Sequence, residues 1–204
     1  MTKKKRSPRP PDFYARKAKK EGLLARSAYK LEELDRKYHL INTADSVLDL
    51  GASPGSWLQY ALKRAPKGIV VGVDRHAPDP GVAGQAKALV ADVFEVDPAR
   101  LKQFASDYDI VLSDLAPATS GDPFVDSQRS LRLAERALEL ALALLRPGGR
   151  FVVKLFQGED VPQYRDRLAG YFGDVRLFKP KSSRRESNEI YLVGLGRKTP
   201  RCGQ

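Results

Sequence analysis

Cysteine is almost missing from this chain. Its 204 residues include a single cysteine, Cys202, so the sequence can form neither an internal disulfide nor a cysteine-based metal site. This scarcity favours a reducing, cytosolic setting. Long apolar runs are also missing, and no stretch is long enough to cross a membrane as a helix. The two histidines, His39 and His76, lie far apart and near no carboxylate cluster with ligand spacing, so we expect no metal centre.

Positive charge is in excess, and it is concentrated at the two ends of the chain. The formal net charge is +11, with nine Lys and Arg against one acid in residues 1–20, and eight against two in residues 176–204. The part between them holds 19 basic and 22 acidic residues and is nearly neutral. Because each neutralised phosphate releases counterions, such ends favour nucleic acid as a partner. The alternative interpretation is a pair of solvated tails that only aid solubility.

The length and the 42% hydrophobic content predict one globular domain. We expect a basic, disordered arm over 1–12, the domain over 13–198 and a flexible tail over 199–204. A helical period over 13–38 precedes an alternation of apolar strands and helices. The predicted strands are 47–50, 69–73, 88–91, 108–113, 151–156, 174–179 and 189–195. This alternation predicts an α/β fold with a single, mostly parallel seven-stranded sheet and helices on both faces.

A glycine turn follows the first predicted strand and leads into a helix. The segment is Asp49-Leu50-Gly51-Ala52-Ser53-Pro54-Gly55. Glycine allows the backbone to approach a ligand closely, and a helix N-terminus offers free N–H groups. The G-x-x-x-G spacing with an internal proline differs from the dinucleotide motif, and Gly55-Ser56-Trp57 lacks the lysine of a P-loop. The turn therefore argues against a dinucleotide or a nucleoside triphosphate.

Aspartates end the next two predicted strands. Asp74 lies 23 residues after Gly51, where a carboxylate can accept both hydroxyls of a ribose. Asp92 ends the third strand, where a carboxylate can accept an exocyclic adenine amine. The pair suits an adenosine ligand without a pyrophosphate, and S-adenosylmethionine is one. Solvated aspartates at strand ends are the alternative interpretation of each residue alone.

Charged side chains also stand at or within three later apolar runs. These runs are Ser113-Asp114-Leu115-Ala116-Pro117, Phe151-Val152-Val153-Lys154-Leu155-Phe156 and Asn188-Glu189-Ile190-Tyr191. A charge there is costly to bury unless it is paired or used, so Lys154 in particular should be functional or paired. Lys30, in the N-terminal helix, could join these residues, although a surface lysine is the alternative.

With these residues in hand, the chain resembles the FtsJ/RrmJ family of ribose 2′-O-methyltransferases from about Ala25 to Lys198. The matching stretches are Ser27-Ala28-Tyr29-Lys30-Leu31, the glycine turn through Trp57, Ser113–Pro117 with Ser120-Gly121, Phe151–Gly158, and Lys181-Ser182-Ser183-Arg184 leading to Glu189-Ile190-Tyr191. Ser56 departs from the family pattern, in which a second glycine is frequent. Serine is well suited to a helix start, so we expect it to be tolerated there.

The resemblance implies a Rossmann-like S-adenosylmethionine-dependent methyltransferase domain and assigns roles to residues. The implied catalytic set is Lys30, Asp114, Lys154 and Glu189. The implied cofactor contacts are Gly55, Trp57, Asp74, Asp92 and Asp114. We place the family glutamate at Glu189 rather than at Glu186, because Ile190-Tyr191 follows it. Lys154 is our candidate for the base, with a role in orienting the hydroxyl as the weaker version.

The resemblance also implies the substrate, which is the ribose 2′-hydroxyl of a uridine in large-subunit ribosomal RNA. We expect a monomer that acts on the large ribosomal subunit, with transfer RNA as an alternative substrate. A non-catalytic, RNA-binding assembly factor is the alternative of a different class. The residues expected to follow the RNA backbone are the arm, Arg26, Lys179, Lys181, Arg184 and Arg185. Tyr29 or Phe156 could stack on a base, and both could equally belong to the core.

Overall fold

The computed structural model describes residues 12–184 and 186–199. The predicted arm before Asp12, the tail after Thr199, and Arg185 lie outside the described residues. The helices are α1 (Phe13–Lys20), α2 (Ala28–Tyr38), α3 (Ser56–Arg64), α4 (Pro80–Ala83), α5 (Pro98–Lys102), α6 (Pro123–Leu144) and α7 (Val161–Tyr171). The strands are β1 (Val47–Leu50), β2 (Val70–Asp74), β3 (Lys87–Val90), β4 (Tyr108–Ser113), β5 (Leu145–Phe156), β6 (Phe172–Phe178) and β7 (Glu189–Arg197).

All seven strands form one sheet, in the order β3-β2-β1-β4-β5-β7-β6. The first five strands of the chain pair in parallel, as short crossover helices require. β7 runs antiparallel to both β5 and β6. The strand order reverses between β1 and β4, and a ligand crevice is expected at such a reversal, beyond the carboxyl ends of the strands. The predicted Rossmann-like, mostly parallel seven-stranded fold is confirmed.

The N-terminal helix predicted over 13–38 is two helices. α1 ends at Lys20, and Gly22 then adopts a φ of +70°, which a continuing helix does not allow. Asp12 caps the first helix, because its carboxylate accepts the N–H of Ala15. α2 starts only at Ala28, so Lys30 lies in the first turn of a separate helix. A regular apolar period across both segments concealed this break.

The fifth strand also begins earlier than predicted, at Leu145 instead of 151. Tyr108 pairs with Leu145 but Ile110 pairs with Arg150, so extra residues bulge out between the two pairs. Gly149 lies inside this bulge, where a Cβ would approach the carbonyl oxygen of Arg146 to 2.9 Å. The Pro-Gly-Gly sequence therefore forms an irregular part of the strand and does not precede it.

Each face of the sheet has its own apolar core. On one face the strands pack against α2 and α3, through Leu31, Leu34, Trp57 and Leu58. On the other they pack against α5, α6 and α7, through Leu101, Ala134, Leu138, Leu144, Tyr164 and Leu168. Full burial of a leucine stabilises the fold by about 1.5–3 kcal/mol, so both layers are held firmly. Among the described residues, no helix is long and apolar enough to cross a membrane.

Strand alternation brings the charged side chains to the face covered by α2 and α3. Val47, Leu112, Val152 and Tyr191 all belong to the core on that face. Side chains two residues apart share a face of the sheet. At this spacing from them lie three ionisable residues of the predicted site, Asp114, Lys154 and Glu189, together with Asp49, for which the sequence predicted no role. The sheet therefore gathers these groups at one edge, under α2.

Candidate active site

Lys154 is buried and paired, as its place in an apolar strand predicts. Its side chain is only 5% exposed, and its Nζ lies 3.0 Å from Oδ1 of Asp114. The same Nζ donates to the main-chain oxygen of Asp114 at 2.6 Å. Tyr191, which pairs with Lys154 across the β5–β7 ladder, donates its hydroxyl to Oδ1 of Asp114 at 2.8 Å. One carboxylate therefore holds both side chains in fixed positions.

The surroundings of Asp114 keep it ionised. Burial alone would raise the pKa of this carboxyl, but the charges of Lys154 and Lys30 and the hydrogen bonds from Tyr191 and Lys154 outweigh it. The pKa of Asp114 is consequently below its ordinary value. The same environment raises the pKa of Tyr191 well above its ordinary value, first through burial and then through the Asp114 carboxylate. Tyr191 is therefore a fixed hydrogen-bond donor at neutral pH.

A second ion pair lies beside the first. Nζ of Lys30, in α2, is 2.7 Å from Oε1 of Glu189, the first residue of β7, and both side chains are nearly buried. Glu189 pairs with Phe156 across the ladder, two residues beyond the Lys154–Tyr191 pair and on the same side of the sheet. All four predicted catalytic side chains are thus brought together, as two lysine–carboxylate pairs.

A cleft opens beside these pairs, at the point where the strand order reverses. Its volume is about 470 Å³, within the usual range of small-molecule sites. Its lining includes Gly51 and three of the predicted cofactor residues, Asp74, Asp92 and Asp114. Asp114 is therefore shared, because it lines the cleft and also holds Lys154.

Backbone N–H groups orient the two strand-end aspartates. Asp74 accepts from the N–H of Ser53 at 3.0 Å and from that of His76 at 2.9 Å. Asp92 accepts from the N–H of Phe94 at 3.0 Å. Each carboxylate oxygen can accept more than one hydrogen bond, so lone pairs remain for a ligand. The rigid placement of both groups suits recognition of hydroxyl and amine donors.

Gly51 makes the approach of the glycine turn to β4 possible. Its φ is +86°, and a Cβ there would lie 3.0 Å from the main-chain nitrogen of Leu115. A side chain would therefore push the turn away from the loop that carries Asp114. Gly51 itself forms part of the cleft wall. The glycine thus brings two walls of one ligand site together.

Two predicted cofactor residues do not line this cleft. Trp57 is 3% exposed, and its indole N–H donates to the carbonyl oxygen of Ser27 at 2.8 Å. Its ring packs beside Tyr191, with 5.9 Å between the centroids. Gly55 adopts a φ of +118° at the start of α3. The side chain of Trp57 ties α3 to α2 and supports Tyr191, and a contact of either residue with the cofactor stays a prediction.

The cleft also contains residues that the sequence did not single out. Phe94 is 41% exposed at its mouth, and the guanidinium of Arg132 lies 5.1 Å from its ring centroid. An aromatic ring there can cover an adenine. Tyr191, which contacts Asp114 and is not part of the cleft lining, had no predicted role of its own, although its spacing of two residues from Glu189 places both side chains on one face. That spacing could have predicted the position of Tyr191 from the sequence. The position of Arg132 could not be predicted in this way, because it depends on how α6 packs against the sheet.

Asp49 is the most deeply buried ionisable residue of the site region. It is fully buried, and neither carboxylate oxygen has a hydrogen-bond partner among the described residues. Burial first, and then the neighbouring carboxylates of Asp114 and Asp74, raise its pKa well above the ordinary value. Burial and the neighbouring carboxylates therefore favour the neutral form of this carboxyl beneath the glycine turn.

The loop after β4, which forms one wall of the cleft, is pinned from α6. Asp126 accepts the N–H and the hydroxyl of Ser120, at 2.7 and 2.8 Å, and the N–H of Gly121 at 3.2 Å. These hydrogen bonds, led by the N–H of Ser120, lower the pKa of Asp126. The Ser-Gly pair of the sequence motif is therefore the part of the loop that α6 holds.

Exposed basic side chains lie in the segment that precedes Glu189. We call residues 179–184, which follow β6, the basic loop; its Lys179, Lys181 and Arg184 are exposed. Arg26 reaches this loop, because its guanidinium donates to the carbonyl oxygen of Ser182. Tyr29, by contrast, is 3% exposed and packs within the protein, so for this residue the core alternative is correct.

Comparisons with known proteins agree with this arrangement. The sequence pattern described as FtsJ-like methyltransferase matches residues 23–197, which is most of the chain. The chain belongs to the FtsJ-like methyltransferase family. The family predicted from the motifs is thereby confirmed, and so is the expectation of a methyltransferase.

Individual proteins are similar to this chain along most of their length. The chain is 43% identical to ribosomal RNA large subunit methyltransferase E of Desulfosudis oleivorans, over 92% of this chain and 91% of that protein. It is 45% identical to the protein of the same name from Myxococcus xanthus, over 94% and 92%. A crystal structure of a Plasmodium falciparum protein, described as a ribosomal RNA methyltransferase, matches with a TM-score of 0.77 and 30% identity, over 85% of this chain and 97% of that one.

Proposed function

We propose that this FtsJ-like protein transfers the methyl group of S-adenosylmethionine to the ribose 2′-hydroxyl of a uridine in large-subunit ribosomal RNA. We take the assembled large subunit as the substrate, and we place the protein in the cytoplasm as a monomer that supports late ribosome maturation. One observation carries the proposal: Asp114 lines the cleft and also pairs with Lys154. The proposed cofactor site and the proposed catalytic lysine thus share one side chain.

The residues of the cleft fit S-adenosylmethionine. Asp74 and Asp92 would accept the ribose hydroxyls and the adenine amine, and Phe94 would cover the adenine. Asp114 would face the positively charged methionine end, because its lowered pKa keeps it anionic. When bound, the cofactor supplies an electrophilic methyl group on a sulfonium. Because Gly51 has no side chain, the glycine turn and the loop after β4 approach each other closely and can contact such a ligand from two sides.

Lys154 would act on the hydroxyl that receives the methyl group. In the base version, Lys154 would take up the proton of the 2′-hydroxyl while the 2′-oxygen bonds to the methyl carbon and the bond from that carbon to sulfur breaks, so that the sulfur leaves as a neutral thioether. Oδ1 of Asp114 holds this amine at 3.0 Å, and Tyr191 fixes the carboxylate by donating its hydroxyl to the same oxygen at 2.8 Å. In the weaker version, Lys154 remains an ammonium and only orients the hydroxyl.

Lys30 and Glu189 would position the target ribose. Their 2.7 Å pair lies on the face where Lys154 lies, two residues further along the strand ladder. A lysine donor and a carboxylate acceptor side by side suit the hydroxyl pair of a nucleotide. Because the pair joins α2 to β7, it also connects the site to the basic loop that precedes β7.

Two other functions deserve a direct comparison with this proposal. A transfer RNA substrate keeps the same chemistry, and an RNA-binding assembly factor needs none of it. The intact set of two lysine–carboxylate pairs favours catalysis, because buried charges are costly to maintain without a use. The names of the similar proteins favour large-subunit ribosomal RNA over transfer RNA.

The experiment that tests the proposal supplies methyl-labelled S-adenosylmethionine with unmodified large subunits, free large-subunit RNA and transfer RNA. Any label is mapped to base or ribose, and Lys154→Ala is run in parallel. The expected result is label on a ribose 2′-oxygen of the large subunit, lost in the variant. Label on transfer RNA alone would overturn the substrate, and no label on any RNA would favour the assembly factor.

A further inference from the structure

The basic loop is attached to α2, the helix that carries Lys30, through the carboxylate of Glu33. Glu33 of α2 accepts the N–H of Lys181 with Oε2 at 2.7 Å and the N–H of Ser182 with Oε1 at 2.8 Å. Both oxygens are used on two successive amides, so the carboxylate grips the main chain and leaves the side chain of Lys181 exposed. Charge-assisted hydrogen bonds of this kind are stronger than neutral ones.

The conformation of the loop needs this attachment. Ser182 is fully buried, and the hydroxyl oxygens of Ser182 and Ser183 have no hydrogen-bond partner among the described residues. Buried hydroxyls without partners destabilise a conformation, so other contacts must hold it. The contacts made to the main chain of Lys181 and Ser182 from outside the loop are the two bonds to Glu33 and the guanidinium of Arg26 on the carbonyl oxygen of Ser182.

α2 thereby ties two parts of the site together. Lys30 reaches Glu189 at 2.7 Å, and Glu33, three residues further along the same helix, reaches the loop before it. The exposed Lys179, Lys181 and Arg184 are in this way held at a set distance from the lysine–carboxylate pairs. A phosphate-binding surface that is already ordered costs less to engage.

We propose that Glu33 is a positioning residue for the RNA substrate: by holding the main chain of Lys181 and Ser182, it orders the basic loop as a preformed surface for the phosphates next to the target nucleotide. This inference rests on the proposed function and adds the part of the protein that sets RNA affinity. Glu33 itself touches neither the cofactor cleft nor Lys154.

The proposal predicts that removing Glu33 changes RNA affinity in the direction opposite to the one expected from charge alone. Glu33 is a negative charge in a basic region, so its removal should by charge alone tighten RNA binding. If Glu33 orders the loop, its removal weakens binding. Glu32 is the matched control, because it is the adjacent glutamate on the same helix and makes no hydrogen bond to the loop among the described residues.

The experiment compares Glu33→Ala and Glu33→Gln with Glu32→Ala and Glu32→Gln in the full chain. For each protein, KM for large subunits, kcat at saturation and Kd for S-adenosylmethionine are measured, together with hydrogen exchange of the amides of residues 181 and 182. We expect Glu33→Ala to raise KM about tenfold, with kcat and the cofactor Kd within about twofold. Glu33→Gln keeps one acceptor oxygen and should lie between. The control variants should leave KM unchanged or slightly lowered.

Loss of amide protection at residues 181 and 182 in Glu33→Ala alone, together with the raised KM, supports the proposal. An unchanged or lowered KM in Glu33→Ala overturns it, and so does a matching loss of cofactor binding, which would indicate general damage. If the wild-type protein labels no ribosomal RNA, the proposed function fails instead, and the exchange data still report on the attachment of the loop.

Discussion

The carboxyl edge of the sheet has two halves that are built differently. Beyond β2 and β3, Asp74 and Asp92 are each oriented by an N–H two residues further along the chain. Beyond β4, β5 and β7, the partners come from distant segments, since Lys154 meets Asp114 across 40 positions and Tyr191 meets it across 77. Local turns orient the first half, with one further hydrogen bond to Asp74 from the N–H of Ser53, 21 residues earlier, whereas the second half exists only when the sheet is complete. Substitutions in the two halves should therefore fail in different ways.

The largest effect should come from the long-range half, at Lys154. Lys154→Ala should lower kcat by about 10²–10⁴-fold, the usual contribution of a positioned acid or base, while the cofactor still binds. Lys154→Arg keeps the charge but cannot act as a base, so it separates the two versions of the mechanism. Single-turnover methylation and calorimetry with S-adenosylmethionine measure the two properties. Lys102→Ala, at an exposed lysine, is the control; equal rates in it and in Lys154→Ala would contradict the assignment.

The buried carboxyl of Asp49, beneath the glycine turn, should make the stability of the protein depend on pH. Its pKa is raised in the folded protein, so its contribution to stability is complete below the unfolded value near 3.9 and is lost as the pH rises toward the folded value. Between these two values the free energy of unfolding falls by up to about 1.4 kcal/mol per pH unit. Asn does not titrate, so the stability of Asp49→Asn relative to wild type should increase with pH.

Urea unfolding of both proteins at several values between about pH 5 and 8 measures this difference. Asp166→Asn, at an exposed aspartate of α7, should show no such trend. A flat difference between Asp49→Asn and wild type would show that Asp49 is ionised in the folded protein. The slope is the informative quantity, because the amide also changes packing by an amount that does not depend on pH.

The local half should respond mainly in cofactor affinity. Asp74→Ala removes the acceptor expected to meet the ribose hydroxyls, and hydrogen bonds to a charged group contribute about 1.5–3 kcal/mol. We therefore expect Kd for S-adenosylmethionine to rise by about 10–100-fold, with kcat at saturating cofactor largely kept. Asp166→Ala makes the same charge change outside the cleft. If Asp74→Ala bound the cofactor as wild type does, the assignment of this strand end would be wrong.

The smallest effect should come from Tyr191→Phe. The variant keeps the ring and removes only the hydroxyl that donates to Asp114 at 2.8 Å, while Lys154 still holds the carboxylate. A loss of about 1 kcal/mol corresponds to a fall in kcat/KM of roughly fivefold. Tyr171→Phe, at a partly exposed tyrosine, provides the comparison. A loss as large as that of Lys154→Ala would instead assign Tyr191 a direct part in the reaction.

The division between local and long-range contacts also explains which predictions were confirmed. The alternation of strands and helices, the seven strands, Asp74 at the end of β2 and Asp92 two residues after β3 were all predicted, because each depends on neighbours within a few residues. The break between α1 and α2 was missed, since Gly22 lies inside a continuous apolar period. The early start of β5 was missed for the opposite reason: Pro-Gly-Gly usually separates two elements, and here it forms a bulge within one strand.

By itself, the sequence determined the α/β class, the strand ends that carry carboxylates and, through its motifs, the family. Only the tertiary structure decided that Lys154 and Tyr191 share one oxygen of Asp114, that Trp57 faces Ser27 and the core, and that Glu33 holds the basic loop. The physical reason is range. Local patterns follow from backbone geometry and burial along one element, whereas these contacts depend on the order of the strands and on the position at which α2 packs over them.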